Sequence, residues 1–195
     1  MNMKEQIHAL SEEMIANLGR LVAIDSQLGT PEEGKPFGAG PAKALEEGLK
    51  IAEELGFKTE NLDHYCGYAE MGEGEEIVGI AGHLDIVPVG GDWTYDPFKL
   101  TRDGDHVYGR GTTDDKGPVL EALYAMKLLR DSGVKLNKES ASSWDATRRP
   151  AQNVWSITTR SQKSYPVDLH RMPIFHVYTA KRAYVYDSLL EKYKN

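Results

Sequence analysis

The distribution of glycine along the chain is the feature that most constrains its fold. All 19 glycines of the 195 residues lie at or before Gly133. The remaining 62 residues contain none, where average usage predicts about four. Charge changes at the same point: residues 1–133 carry 25 acidic and 12 basic side chains, and residues 134–195 carry 5 and 11. We therefore expect one globular domain over residues 1–138 and an aberrant segment over residues 139–195.

Helical and strand patterns alternate within the first of these segments. Apolar residues recur at helical spacing from residue 3 to 19 or beyond, from Pro41 to Gly56, and from Pro118 to Gly133. "YCGYAEMG" and "EEIVGIAGHLD" are typical of strands, the second buried on both faces, and "FKLTRDGDHVYGRG" predicts a hairpin. The alternation predicts an α/β domain. The apolar positions expected to face inward are Ile7, Leu10, Met14, Leu18, Leu21, Leu45, Leu49, Ala52, Leu55, Val119, Ala122, Leu123, Met126 and Leu129.

Bulk properties narrow the class of protein. The only cysteine, Cys66, excludes an internal disulfide and suits a reducing compartment. A net charge of −7 argues against a general nucleic-acid binder. The first ten residues lack a signal-peptide pattern, and no apolar run is long enough to span a bilayer. We expect a cytoplasmic protein with no nucleic-acid or membrane partner; the sequence does not indicate an oligomeric state.

The stretch "IVGIAGHLDIVPVG" places two polar side chains at the end of an apolar strand. Residues two apart on an extended strand face the same side, so His83 and Asp85 can converge. A carboxylate is a common partner for the outer nitrogen of a metal-bound imidazole. Alone, the pair is equally typical of ordinary residues at a strand end.

A second group of residues lies in "YGRGTTDDKGP", in a glycine-rich turn between a strand and a helix. Adjacent carboxylates at the mouth of an α/β sheet suit a divalent cation. The alternative is that Asp114 and Asp115 complement the positive end of the helix that follows. On these residues alone, that alternative is favoured.

Taken together, "GHLDIVPVGGDWTYDPF" and "VYGRGTTDDKGP" resemble the dinuclear zinc peptidases of the aminoacylase/dipeptidase family. The likeness is greatest to bacterial carnosinase-type dipeptidases, which cleave Xaa-His and β-Ala-Xaa, and covers roughly residues 5–138. It implies the N-terminal half of a zinc-peptidase catalytic domain, with a mixed β-sheet flanked by helices. It also implies that His83 is a terminal ligand of one zinc, that Asp85 orients its imidazole, and that Asp114 bridges both zincs.

The resemblance further implies a chemistry and a substrate. Two zinc ions activate a shared water for attack on a dipeptide, with a nearby Glu as general base; Mn²⁺ or Co²⁺ are alternatives. The family often has a cis peptide bond directly after the bridging Asp. The position of Asp115 varies within the family, so no role is implied for it. The base and a further ligand form a Glu-Glu pair after the third helix. This chain has Arg148-Arg149 there.

A change of reading frame at Lys138 accounts for the break. Codons allowed for residues 138–160, read one base early, can encode RVRIILGCDEETGSKCVEHYYE, with the two glutamates in the slots of Arg148 and Arg149. The first base of each shifted codon is free to choose, while the other two are largely forced. The hypothesis is that one adenine is missing from a run at Lys138. The spacing of Asp168, His170 and His176 is then accidental, and they are not expected to bind metal.

Two other functions are alternatives to a dipeptidase. A metallophosphoesterase typically has D-x-H and later G-N-H; here D-x-H occurs only at Asp168-Leu169-His170, in the segment expected to be out of frame, and G-N-H does not occur. A non-catalytic module that uses the half-domain for metal or ligand binding is the other alternative. Because the base and most ligands are missing, we expect a truncated and inactive dipeptidase fragment that is prone to aggregate.

Overall fold

The computed structural model describes residues 3–73, 77–133 and 139–146, and the fold below refers to these residues. Three helices are present: α1 (Met3–Val22), α2 (Ala39–Glu54) and α3 (Lys116–Asp131). The predicted helices are confirmed, although α2 and α3 begin two residues before the prolines that were expected to open them. Gly56 and Gly133 follow the last two helices with φ of 87° and 70°, the left-handed conformation that favours glycine after a helix.

The main sheet has four strands in the order β1-β2-β6-β3. The strands are β1 (Lys58–Leu62), β2 (Cys66–Met71), β3 (Ile77–His83) and β6 (Glu139–Asp145). β1 and β6 each pair with β2 in antiparallel fashion, and β3 pairs with β6 in parallel. The sheet is therefore mixed and flanked by helices, as the resemblance implied.

A separate two-stranded hairpin consists of β4 (Thr101–Asp103) and β5 (His106–Tyr108). It turns at Gly104, which has φ of 58°, so the hairpin predicted at Asp103-Gly104 is confirmed. The segment that follows β5 leads directly into α3. The hairpin thus precedes the acidic turn and lies next to it in the chain.

The core lies between the helices and one face of the sheet. Leu21, Leu45 and Leu123, one from each helix, are 0% exposed. Two inward predictions are wrong: Ile7 is 52% and Leu129 41% exposed. Both lie toward helix ends, where the apolar stripe extends past the elements that cover it.

The expectation that β3 is buried throughout is also wrong. Ala81 is exposed, and Ile80 is only partly buried against the core. β3 is the last strand in the sheet order, so within the described ranges it has a strand neighbour on one side only.

Two strands were not anticipated. β1, "KTENL", is polar and exposed at two of its five positions, so it lacks the apolar signal of a strand. β6, "ESASSWD", lies in the segment without a sustained period, yet it pairs on both sides. Residues 147–195, including Arg148-Arg149, Asp168, His170 and His176, lie outside the described residues. Among the helices described, none is long and apolar enough to cross a membrane.

Candidate metal centre

His83 is the last residue of β3, and its side chain is 16% exposed at the carboxyl edge of the sheet. Its Nδ1 atom lies 3.0 Å from Oδ1 of Asp85 and 3.3 Å from the Asp85 carbonyl oxygen. The Asp85 side chain is 8% exposed. The predicted convergence of these two residues is confirmed.

The acidic turn brings a second carboxylate to the same imidazole. Nε2 of His83 lies 3.3 Å from Oδ1 of Asp114, whose side chain is 53% exposed. The Asp114–Asp115 peptide bond is cis. The three residues singled out from the sequence therefore meet at one place, with the histidine between the two acids.

Asp115 occupies the N-cap position of α3, where its charge complements the positive end of the helix, but its side chain makes no capping hydrogen bond there. Instead, its Oδ2 atom accepts a hydrogen bond of 3.2 Å from the backbone N–H of His83. The acidic turn is thus joined to the end of β3 at the backbone and at the imidazole.

The arrangement of charge around the imidazole favours a cation. An ionised carboxylate only accepts hydrogen bonds, so Asp85 requires a hydrogen on Nδ1. Asp114 then either faces a second N–H, in a protonated histidine, or shares a cation with the lone pair of Nε2. Two ligand atoms on one tetrahedral zinc ion are about 3.3 Å apart, because Zn–N and Zn–O bonds are about 2.0–2.2 Å. The spacing of 3.3 Å between Nε2 and Oδ1 fits that second case, and it is also an ordinary distance for an ion pair with a protonated histidine.

The described residues supply only part of a metal site. No group of three or more His, Cys, Asp or Glu side chains that could hold an ion is found within these ranges. Asp85 contacts Nδ1 of His83, which is the ring nitrogen that points away from Asp114, so its contact does not lie beside Nε2. The set that fits an ion is one imidazole nitrogen and one carboxylate.

Lys116 is a residue of the site region that the sequence reasoning missed. It is 0% exposed, and its Nζ atom donates hydrogen bonds of 2.9 Å to the Leu21 carbonyl and 2.8 Å to the Ile24 carbonyl. Burial lowers the pKa of its ammonium group to about 8, and the charges of Asp25 and Asp85 oppose that shift. The only signal in the sequence was a lysine directly after two acids. That pattern is equally typical of an exposed lysine that pairs with one of the acids.

The turn is packed tightly around the Lys116 stem. Gly111 has φ of +88°, and a Cβ atom there would lie 2.9 Å from Cδ of Lys116. A Cβ atom on Gly117 would lie 2.0 Å from the Thr112 carbonyl oxygen. A side chain at either position would collide with atoms of the turn or with the Lys116 stem, so these glycines allow the tight backbone, as predicted.

Comparison with known proteins finds similarity to peptidases. Residues 79–141 match the model of peptidase family M20/M25/M40. A β-Ala-Xaa dipeptidase of Lactobacillus delbrueckii subsp. lactis is 43% identical over 142 residues, which is 71% of this chain and 30% of that protein.

Solved structures show the same fold. Human carnosine dipeptidase 1 matches with a TM-score of 0.62 and 25% identity, over 73% of this chain and 33% of that one. The M20 family metallo-carboxypeptidase Sso-CP2 of Sulfolobus solfataricus matches with a TM-score of 0.56 and 26% identity, over 69% and 30%. The chain spans about a third of the length of these relatives. The family-model match, the sequence identity and the fold all show that the first part of this chain is similar to peptidases of the M20/M25/M40 family.

Proposed function

We propose that residues 1–138 are the N-terminal part of a zinc-dependent dipeptidase catalytic domain. His83 and Asp114 are the retained metal ligands, and Asp85 fixes the orientation of the imidazole. The observation that carries this assignment is the position of His83 between two carboxylates, 3.0 Å and 3.3 Å from its ring nitrogens. The 43% identity to a β-Ala-Xaa dipeptidase supports a dipeptide as the substrate of the intact enzyme.

Each residue has a distinct role in this proposal. Asp85 holds the hydrogen on Nδ1, which leaves the electron pair of Nε2 directed at the metal position and raises the basicity of that nitrogen. Asp114 supplies negative charge and an oxygen ligand. In the intact enzyme, residues of this site would hold zinc, which would supply a water of lowered pKa and polarisation of the peptide carbonyl. Mn²⁺ or Co²⁺ would offer the same chemistry.

The second part of the proposal is that this chain does not hydrolyse dipeptides. Two ligand atoms do not hold two metal ions, and the described residues bring no glutamate to the site as a general base. We assign residues 139–195 to an out-of-frame reading that replaces the remaining ligands. Purified chain supplied with zinc should therefore leave β-Ala-His intact, and zinc-dependent cleavage would contradict the assignment.

Zinc titration of the 195-residue chain tests the metal assignment. We expect weak binding of zinc by the parent chain and its loss in His83→Ala, measured by isothermal titration calorimetry. His106→Ala is the matched control, since His106 is exposed on the hairpin and its removal should leave the affinity unchanged. Equal zinc binding by the parent chain and His83→Ala would overturn the proposal.

The competing assignment is a structural cluster in which a protonated His83 pairs with both acids. Such a cluster would bind no zinc, so the same titration separates the two assignments. A non-catalytic binding module would bind zinc like the proposed fragment. It differs in predicting that a chain with the frame restored also leaves dipeptides intact.

The same proposal places the chain in the cytoplasm, with a dipeptide as the substrate of the intact enzyme and no nucleic-acid or membrane partner. The support is compositional: one buried cysteine, Cys66, and a net charge of −7. The charge disfavours contact with nucleic acid, because such contact depends on neutralising phosphates.

A further inference from the structure

We propose that Lys116 is a positioning residue, which holds the carboxylate of Asp114 against His83 by fastening the acidic turn to the end of α1. The inference rests on the proposed function, since it concerns the same metal centre. It assigns a role in that centre to a residue that contacts neither the metal position nor a substrate.

The contacts of Lys116 cross the molecule. Its ammonium group donates to the carbonyls of Leu21 and Ile24, which lie 95 and 92 residues earlier in the chain. Leu21 belongs to the last turn of α1, and its carbonyl also accepts a backbone hydrogen bond of 3.1 Å from the N–H of Ile24. One buried cation thus adds a bond to each of two carbonyls at the end of α1 and joins them to the first residue of α3.

The position of Lys116 in the chain makes this joint relevant to the metal centre. It follows Asp114 and Asp115 directly, and Asp115 accepts the hydrogen bond from the His83 N–H. The turn therefore has one attachment to the end of β3 and another to the end of α1. With both ends fixed, the exposed Asp114 side chain has a defined place beside Nε2.

Packing leaves little freedom for the Lys116 side chain itself. It is fully buried, and the Cα atom of Gly111 approaches so closely that a Cβ atom would lie 2.9 Å from Cδ. The burial of a charge is costly unless that charge is hydrogen-bonded. A lysine retained in such a place, two residues from a proposed ligand, is therefore expected to fix geometry.

Lys116→Met tests the role, because methionine retains most of the apolar stem and removes the ammonium group. Lys127→Met is the matched control: it makes the same substitution on the same helix, where Lys127 pairs with the exposed Asp131 at 2.6 Å. The metal-independent measurement is amide hydrogen exchange at His83, with Ile51, buried in α2, as the reference for global unfolding.

We expect His83 exchange to accelerate in Lys116→Met about tenfold more than Ile51 exchange does, and both to stay unchanged in Lys127→Met. Zinc affinity should fall about tenfold in Lys116→Met only. Equal acceleration at His83 and Ile51 would show a general loss of stability and would overturn the positioning role. Lys116→Gln, which keeps donors without the charge, should give intermediate exchange at His83.

Failure to fold is also informative. If Lys116→Met and Lys116→Gln both fail to fold while Lys127→Met folds, Lys116 serves the fold as a whole and the inference is overturned. The two proposals remain separable. Absence of zinc binding by the parent chain counts against the metal centre, whereas His83 exchange decides the role of Lys116 without any metal.

Discussion

His83 has a carboxylate at each ring nitrogen, and in the proposed metal centre only one of these carboxylates faces the ion. Asp85 is buried and lies 3.0 Å from Nδ1, whereas Asp114 is half-exposed and lies 3.3 Å from Nε2. The buried acid fixes the ring, and the exposed acid faces the space in which an ion would bind. The two acids should therefore differ in what their removal does.

Asp85→Asn should weaken zinc binding without abolishing it. The neutral amide no longer raises the basicity of the imidazole, and loss of such a partner lowers metal affinity about 10–100-fold. Competition with a chromophoric chelator measures the change. Asp105→Asn, on the exposed hairpin, is the control and should bind as the parent does. An unchanged zinc affinity in Asp85→Asn would contradict the role proposed for Asp85.

Tyr124 links the stability of the helices to pH. Burial raises the pKa of its phenol to about 12; the hydrogen bond from Asn17 opposes this rise, and the hydrogen bond to Glu13 adds to it. The folded pKa thus lies above the unfolded value of about 10. The stabilisation that this shift represents is complete below pH 10 and is lost as pH rises from about 10 to about 12.

Tyr124→Phe removes that dependence. The difference in unfolding free energy between parent and variant should shift by up to about 2 kcal/mol, to the disadvantage of the parent, between about pH 9.5 and about pH 11.5. Urea unfolding at the two pH values measures it. A difference that does not change with pH would contradict the assigned shift.

At the scale of elements, α3 connects the metal centre to the core. Its first residue is Lys116, and its buried face packs on α1 and under β3 through Val119, Leu120, Leu123 and Met126. Leu129 lies on the same helix but is 41% exposed. The helix therefore offers two leucines in opposite environments.

Leu123→Ala should destabilise the domain by about 2–5 kcal/mol, because it leaves a cavity at a position that is 0% exposed. Leu129→Ala should cost less than about 1 kcal/mol. Thermal or urea unfolding of both variants checks the contrast. Comparable losses in the two variants would mean that the core is not arranged as described.

The helices could be predicted from sequence because apolar residues recur at one face over four or more turns. The apolar pattern of a helix does not show how far neighbouring elements extend along it. The predictions that Ile7 and Leu129 face inward were wrong for this reason. β1 and β6 carry few apolar residues, and only their pairing partners in the sheet reveal them. The strand end at His83 and the acidic turn were predictable as separate polar groups. Their meeting depends on tertiary structure.

The buried position of Lys116 could not be predicted from the sequence. A lysine beside two aspartates is ordinarily exposed, and nothing local distinguishes one that turns inward. Its partners, Leu21 and Ile24, are backbone carbonyls about 90 residues away. Contacts of this kind follow from the fold and leave no signal in the sequence.

At the scale of the whole molecule, the position of β6 bears on the reading frame. β6 pairs with β2 on one side and β3 on the other, and strands inside such sheets are usually apolar. Here its residues are "ESASSWD", whereas the shifted frame gives RVRIILG in the same slots. The match to the family model ends at residue 141, within this strand.

The register of the sheet relates the shifted frame to the metal centre. Asp145 pairs with His83 in the parallel ladder between β6 and β3, so the chain leaves β6 at the same edge as the histidine. The two glutamates of the shifted frame follow three residues later, in the slots of Arg148 and Arg149. In this proposal, the shifted frame places two glutamates shortly after the sheet edge at which His83 lies, whereas the present frame has two arginines in those slots.

The nucleotide sequence across codons 137–150 tests this account most directly, with the mass of the expressed chain as a check on the frame in use. Read one base early from Lys138, the codons should encode an apolar strand followed by Glu-Glu, without a stop. A stop codon, or the absence of the two glutamates, would contradict the frame change and leave the polar strand β6 as the native sequence of this chain.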